Sequence, residues 1–205
     1  MTEPSSTACT SKLADLLAQQ RAAHQLLPYP DLAARLDRLE RLRRLVEQHG
    51  DEFIRAISED FGNRSAHETR LAEIWVIDAE IRSLRRKLAG WMRPRRAATA
   101  LPFLPGSNRL LRQPLGVVGV VSPWNYPLQL ALSPALGALA AGNRVMIKPS
   151  ELTPRFSQAL QQAVAKYFAA NEMVVVVGDA EVGKAFVALP FYHLLFTGST
   201  AVGRQ

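Results

Sequence analysis

Between residues 12 and 92 the apolar positions recur every three or four residues, the period of helices with one buried face. Leu32, Leu36, Leu39, Leu42, Leu45 and Val46 predict a helix over residues 31–49, opened by Asp31 after Pro30 and stopped at Gly50. Phe53, Ile57 and Phe61 predict a second over 52–60. Leu71, Ile74, Ile77, Ile81, Leu84 and Leu88 predict a third over about 65–92. These are bundle-like helices with short connections, and none carries a polar constellation suited to chemistry. Pro94, Pro102, Pro105, Gly106 and Pro114 then break the pattern, with a short strand expected over 109–113.

From Gly116 the texture changes to short apolar runs alternating with helical stretches. The runs GVVGVVS (116–122), RVMIK (144–148), MVVVV (173–177) and HLLFT (193–197) predict strands. Residues 128–141, 154–169 and 181–188 predict the helices between them, and a further helix is expected from Ser199 onward. Strands that are apolar without alternation are buried on both faces. With intervening helices they predict a parallel sheet with right-handed crossovers. Such sheets bind ligands at the carboxyl ends of their strands, so the residues after each strand carry the functional information.

The first strand runs into Ser122-Pro123-Trp124-Asn125-Tyr126-Pro127. The Asn125 amide could donate to an oxyanion at a carbonyl carbon under attack; the plain alternative is a turn asparagine beside a packing tryptophan. The second ends in Lys148-Pro149-Ser150-Glu151. There an ammonium and a carboxylate could share the hydroxyls of a nucleotide sugar, or form a solvated pair at a helix start. The third is followed by residues 178–185, GDAEVGKA, which nearly match a phosphate loop; Ala185 stands where a magnesium-binding hydroxyl is needed, which argues against a nucleotide triphosphate. The fourth leads into FTGSTAVG, where Gly198 permits a tight turn, and Ser199 with the amides of a starting helix could cradle a pyrophosphate.

Composition adds limits. The 205 residues are 48% hydrophobic and 21% charged, which fits a globular chain with a core. The apolar stretch 128–141 is interrupted by Ser133 and Pro134, short of the ~18 residues that cross a membrane. Residues 1–11 read as a flexible polar leader without the features of a secretory signal, and a cytoplasmic location is the default expectation. The single cysteine, Cys9, falls in that leader and reads as a mobile surface thiol. Much of the +7 charge comes from Arg82, Arg85, Arg86, Lys87, Arg93, Arg95, Arg96, Arg109 and Arg112. Without interleaved aromatic residues this stretch reads as a solvated helix face and a subunit-contact loop rather than a nucleic-acid surface.

PWNYP, AAGNRVMIKPSE and FTGSTAVG, in that order and at these intervals, resemble the aldehyde dehydrogenase superfamily over nearly the whole chain after about residue 12. Asp60-Phe61-Gly62 and Trp91-Met92 resemble its class 3-like branch. Asn63-Arg64-Ser65 and Pro94-Arg95-Arg96 resemble the coniferyl aldehyde dehydrogenase subgroup. The resemblance implies an α/β fold. Amino-terminal helices (12–92) and an oligomerisation-type loop and strand (93–115) precede a Rossmann-like parallel-sheet NAD(P)-binding domain (116–205). That domain is incomplete, because the family's catalytic domain lies beyond residue 205.

The resemblance also implies roles. Asn125 matches the oxyanion-hole asparagine, and Trp124 lies beside the cofactor path. Lys148 and Glu151 match the pair that holds the adenosine ribose. Gly198, Ser199, Thr200, Ala201, Val202 and Gly203 match the pyrophosphate loop. NAD is the implied cofactor, with NADP also accepted in the branch, and the substrate is an aromatic or medium-chain aldehyde. The family's general-base glutamate, in an E-L-G-G-K segment, and its nucleophilic cysteine both come later than Gln205. The chain alone is therefore expected to be inactive, and a non-catalytic NAD-binding or subunit-interaction fragment is the alternative. A homodimer without membrane or nucleic-acid partners is implied for the full-length form. Tyr192 departs from the aspartate usual before the last strand, and a local capping change is expected there.

Overall fold

The computed structural model describes residues 6–204. Helix α1 (Ser6–Leu26) is followed by α2 (Leu32–Asp60), and the turn α3 (Ala66–Thr69) passes through a π-helical segment (Arg70–Ile74) into α4 (Trp75–Met92). Strands β1 (Arg95–Ala97) and β2 (Asn108–Leu110) form a small antiparallel ribbon. Then come β3 (Val117–Val121), α5 (Pro127–Ala140), β4 (Arg144–Lys148), α6 (Pro154–Tyr167), β5 (Met173–Val175), α7 (Ala180–Val187) and β6 (His193–Phe196).

Strands β3 to β6 make one parallel sheet in the order β5-β4-β3-β6. The chain therefore winds outward from β3 to β5 and then crosses back to place β6 on the other side of β3. This is the reversal of strand order that opens a crevice at the carboxyl ends of a doubly wound sheet. Helices cover both faces. Val118, Val120, Val145, Ile147, Met173 and Val175 join the core formed by α2, α4, α5 and α6. Val117, Met146 and Val176 face the other way and pack with Leu13 and Leu17 of α1 and Phe186 of α7. Two covered faces explain why β3, β4 and β5 read as unbroken apolar runs, while β6 at the sheet edge is only partly buried. Gly119, in the middle of β3, has no room for a side chain: a Cβ there would lie 2.7 Å from Leu194 and 2.8 Å from Phe191.

Several expectations change. Residues 6–11, expected in the leader, already belong to α1, which Leu13 and Leu17 hold against the sheet; residues 1–5 and the side chain of Cys9 lie outside the described residues. The expected stop at Gly50 is absent, and α2 continues to Asp60. Gly50 is instead a point of close approach, since a Cβ would come 3.3 Å from Ile74 Cδ1. Asp31 does open α2, with Oδ1 accepting from Ala34 N at 2.8 Å. Leu71, expected on the buried stripe, is 68% exposed, while Glu73 is fully buried. The π-helical segment supplies the reason: its wider turn shifts the helix face, so that Thr69, Glu73, Ile77 and Ile81 line the interior. From Ser199 the chain makes turns and a 3-10 segment (Val202–Arg204) in place of the expected helix.

Charge pairs fasten α2 to the sheet. Arg38 and Arg41 both reach Glu172, at 3.1 and 2.8 Å, on the turn that enters β5. In the basic stretch, Arg85 pairs with Glu40 of α2 and Arg82 with Asp78. Among the described residues no helix is long and apolar enough to cross a membrane.

Candidate active site at the carboxyl edge of the sheet

The residues singled out from the sequence all follow the carboxyl ends of parallel strands, and the strand pairing brings those ends together. Val121 at the end of β3 is in register with Lys148 of β4 and Phe196 of β6. The pairing continues past the strands: Ser122 N donates to Lys148 O at 3.1 Å, and Thr197 N donates to Val121 O at 3.1 Å. Val176 N donates to Ile147 O at 2.8 Å, which brings the segment after β5 to the same edge. Asn125, Lys148, Glu151, Asp179 and Ser199 thus belong to one rim of the sheet.

The loop after β3 is held from outside the α/β domain. Arg64, whose side chain is 5% exposed, donates to the backbone carbonyl of Asn125 at 2.7 Å. Its guanidinium lies over the rings of Tyr126 (4.7 Å) and Phe61 (5.1 Å), and Phe61 packs against Trp124 with centroids 5.9 Å apart. Glu73 Oε2 accepts from Leu128 N at 2.8 Å and Gln129 N at 3.1 Å, so it caps the first turn of α5. Burial raises the Glu73 pKa, against the lowering effect of these amides and of Arg64. With its backbone fixed in this way, Asn125 is exposed at the crest of the loop beside half-exposed Trp124.

Lys148 is the unusual charge. It is 2% exposed, and its ammonium donates to Pro149 O at 2.8 Å with Glu151 at 4.0 Å. Burial pushes its pKa down, opposed by the charges of Glu151 and Asp179. An ammonium carries three donors; among the described residues only one has an acceptor within hydrogen-bonding distance. A buried cation with unused donors beside an exposed carboxylate suits vicinal hydroxyls of a sugar. Gly198 has no space for a Cβ, which would meet the Phe196 ring at 2.6 Å, so the backbone there approaches its neighbour closely. Beyond it Ser199 Oγ accepts from Val202 N at 3.4 Å and Ser199 O from Gly203 N at 3.0 Å; Thr200, Ala201 and Val202 are exposed on this turn.

The near-phosphate loop after β5 is built differently from a phosphate site. Asp179 caps α7, with Oδ1 accepting from Val182 N at 3.0 Å, and Lys184 pairs with Glu181 at 2.7 Å. A carboxylate occupies the place a phosphate would take. Tyr192 lies against Gly116 and under the Arg21 guanidinium, so its ring packs at that position, where a capping change was expected. Among the described residues no group of three or more His, Cys, Asp or Glu side chains stands together to hold a metal ion.

Comparison with known families matches residues 6–205 to the aldehyde dehydrogenase family. The chain belongs to the aldehyde dehydrogenase family. Among its relatives, a Pseudomonas aeruginosa protein described as "Probable coniferyl aldehyde dehydrogenase" is 48% identical over 95% of this chain and 41% of its own length. A coniferyl aldehyde dehydrogenase of a Pseudomonas species is 44% identical over 95% of this chain and 40% of its length. The chain thus spans about two fifths of these relatives. Among solved structures, the substrate-bound Staphylococcus aureus AldH superposes with a TM-score of 0.88 at 29% identity, covering 93% of this chain and 41% of that one. A P. syringae AldA indole-3-acetaldehyde dehydrogenase mutant in complex with NAD+ and IAA superposes at 0.77 with 27% identity, covering 96% and 40%. In this aldehyde dehydrogenase chain the α/β fold and the amino-terminal helices are as the sequence predicts. Arg64 and Glu73 are supports of the Asn125 loop that sequence reasoning passed over. A signal for Glu73 existed: it stands four residues before Ile77, in line with Ile81, where an apolar residue would be expected.

Proposed function

We propose that this chain supplies the adenosine-binding half and the oxyanion loop of an enzyme that oxidises an aldehyde, with NAD(P)+ and water, to a carboxylic acid. The supporting observation is the gathering of the loop of Asn125, the Lys148–Glu151 pair and the Gly198–Gly203 turn on one rim of a parallel sheet. Lys148 and Glu151 fit the adenosine ribose, donor and acceptor respectively. The turn from Gly198 through Ser199, Thr200, Ala201, Val202 and Gly203 would hold the pyrophosphate, with Trp124 along the cofactor path. When bound, the nicotinamide accepts the hydride. The part assigned to this chain's own side chains is electrostatic: the Asn125 amide donates to the oxyanion that forms when a thiolate adds to the aldehyde carbon. Arg64 and Glu73 fix the backbone that carries Asn125.

Within these 205 residues the only cysteine is Cys9, far in the chain from the strand tips. We therefore read the chain alone as binding coenzyme without turning over, and the homodimer and the coniferyl-type aromatic or medium-chain aldehyde as properties of a longer protein. The coniferyl aldehyde dehydrogenases among the relatives support that substrate class. Calorimetric titration of the purified chain with NAD+, alongside an NADH-absorbance assay with coniferyl aldehyde, tests the reading. Saturable binding without NADH formation is the expected result. Absence of binding overturns the cofactor assignment, and genuine turnover overturns the assignment of the nucleophile to residues outside this sequence.

A further inference from the structure

Asp179 stands where the sheet edge meets the buried ammonium of Lys148. The pairing of β5 with β4, extended by Val176 N to Ile147 O at 2.8 Å, carries the segment after β5 alongside the end of β4. Asp179 Oδ1 is taken by the Val182 amide as the cap of α7; its other carboxylate oxygen makes no hydrogen bond among the described residues, and the residue is exposed. Its charge acts on Lys148 alongside that of Glu151. Lys148 thus has Glu151 at 4.0 Å, feels the charge of Asp179 from the neighbouring strand end, and retains unused donors. Neutral hydroxyls of a ribose meet no penalty in that field. A 2′-phosphate, close to doubly charged, would be drawn by one desolvated cation and repelled by two anions. Glu151 acts through a direct hydrogen bond to a free 2′-hydroxyl, whereas Asp179, engaged on α7, acts through charge alone.

We propose that Asp179 is a second selectivity determinant of the adenosine site, a carboxylate that excludes a 2′-phosphate and so favours NAD over NADP. This rests on the cofactor reading above. The test is an NMR titration of the chain with 5′-AMP and with 2′,5′-ADP, comparing wild type, Asp179→Asn and Glu151→Gln. Asparagine caps a helix about as well as aspartate, so the variant keeps α7, which far-ultraviolet circular dichroism checks. Asp179→Asn should tighten 2′,5′-ADP binding about three- to tenfold and change 5′-AMP binding by less than about twofold. The gain should shrink as salt is raised. Glu151→Gln should instead weaken 5′-AMP. Unchanged 2′,5′-ADP affinity in Asp179→Asn, or equal tightening of both nucleotides, overturns the proposal while leaving the cofactor site standing. Failure of the wild type to bind 5′-AMP overturns both.

Discussion

Replacing Glu73 by alanine measures how firmly the amino-terminal helices hold the loop of Asn125. Glu73 is fully buried, and one of its oxygens accepts both the Leu128 and the Gln129 amides at the start of α5. Loss of a helix cap costs about 1–2 kcal/mol. Removal of the carboxylate also takes one partner, at 3.5 Å, from the nearly buried guanidinium of Arg64. Orphaning a buried charge completely costs about 3–5 kcal/mol. Arg64 keeps Glu68 at 3.2 Å and the Asn125 carbonyl at 2.7 Å, so only a fraction of that applies, about 1 kcal/mol. Glu73→Ala should therefore destabilise the chain by about 2–3 kcal/mol in urea unfolding. Glu73→Gln retains a carbonyl oxygen that can cap both amides and should cost less. Its pH dependence has a definite sign. Burial raises the Glu73 pKa above its ordinary 4.5, so the folded state holds the proton more tightly than the unfolded one. The stability that Glu73 contributes is complete below about pH 4.5 and is lost as pH rises through the folded value. The deficit of the glutamine variant should therefore be largest in acid and close towards neutral pH. An alanine cost below about 1 kcal/mol, or a glutamine deficit that widens with rising pH, would refute the reasoning.

Glu172 should show the opposite sign: burial would raise its pKa, but the hydrogen bonds and charges of Arg41 and Arg38 outweigh that and lower it. Its contribution is present above about pH 4.5 and lost as pH falls through the folded value, so Glu172→Gln should cost about 2 kcal/mol near neutrality and little in strong acid, read by urea unfolding at several pH values. Lys148→Met keeps the buried stem without the desolvated charge; the melting temperature should hold or rise while 5′-AMP affinity falls at least about tenfold, and a lowered melting temperature would make Lys148 a structural group instead. Ile77→Ala should cost about 2–4 kcal/mol and Leu71→Ala less than about 0.5 kcal/mol in the same unfolding assay, whereas equal costs would contradict the register set by the π-helical segment.

Strands β3, β4 and β5 were legible because burial on both faces removes the ambiguity of alternation. Residues 144–148 form β4 with the predicted limits, and each strand tip lies where the parallel pattern requires. The helix register around Leu71 was not legible, since a π-helical turn depends on tertiary packing and leaves no local signature. Gly50 misled for a related reason. A glycine between helical stretches usually marks an end, but here it admits Ile74 from an element 24 residues on. The supports of the site were hidden by distance along the chain. Arg64 meets Asn125 across 61 residues and Glu73 meets Leu128 across 55, and no spacing rule reaches that far.

Three helices begin at the rim where the site lies, and each amino terminus, with its partial positive charge, could attract an anion. The protein fills all three with its own carboxylates. Glu73 caps α5, Asp179 caps α7, and Asp60 accepts from Arg155 N at 3.2 Å and Phe156 N at 3.0 Å at the start of α6. A phosphate directed to any of them would find amides already taken by a carboxylate oxygen. The opening that remains on this rim is the turn after β6, where Gly198 lets the backbone pass close to Phe196 and Thr200 and Ala201 stand exposed. Two of the three capping groups come from the amino-terminal helices, whose core is continuous with one face of the sheet. Those helices therefore do more than pack: they supply the carboxylates that cap two of the crossover helices, α5 and α6, at this rim.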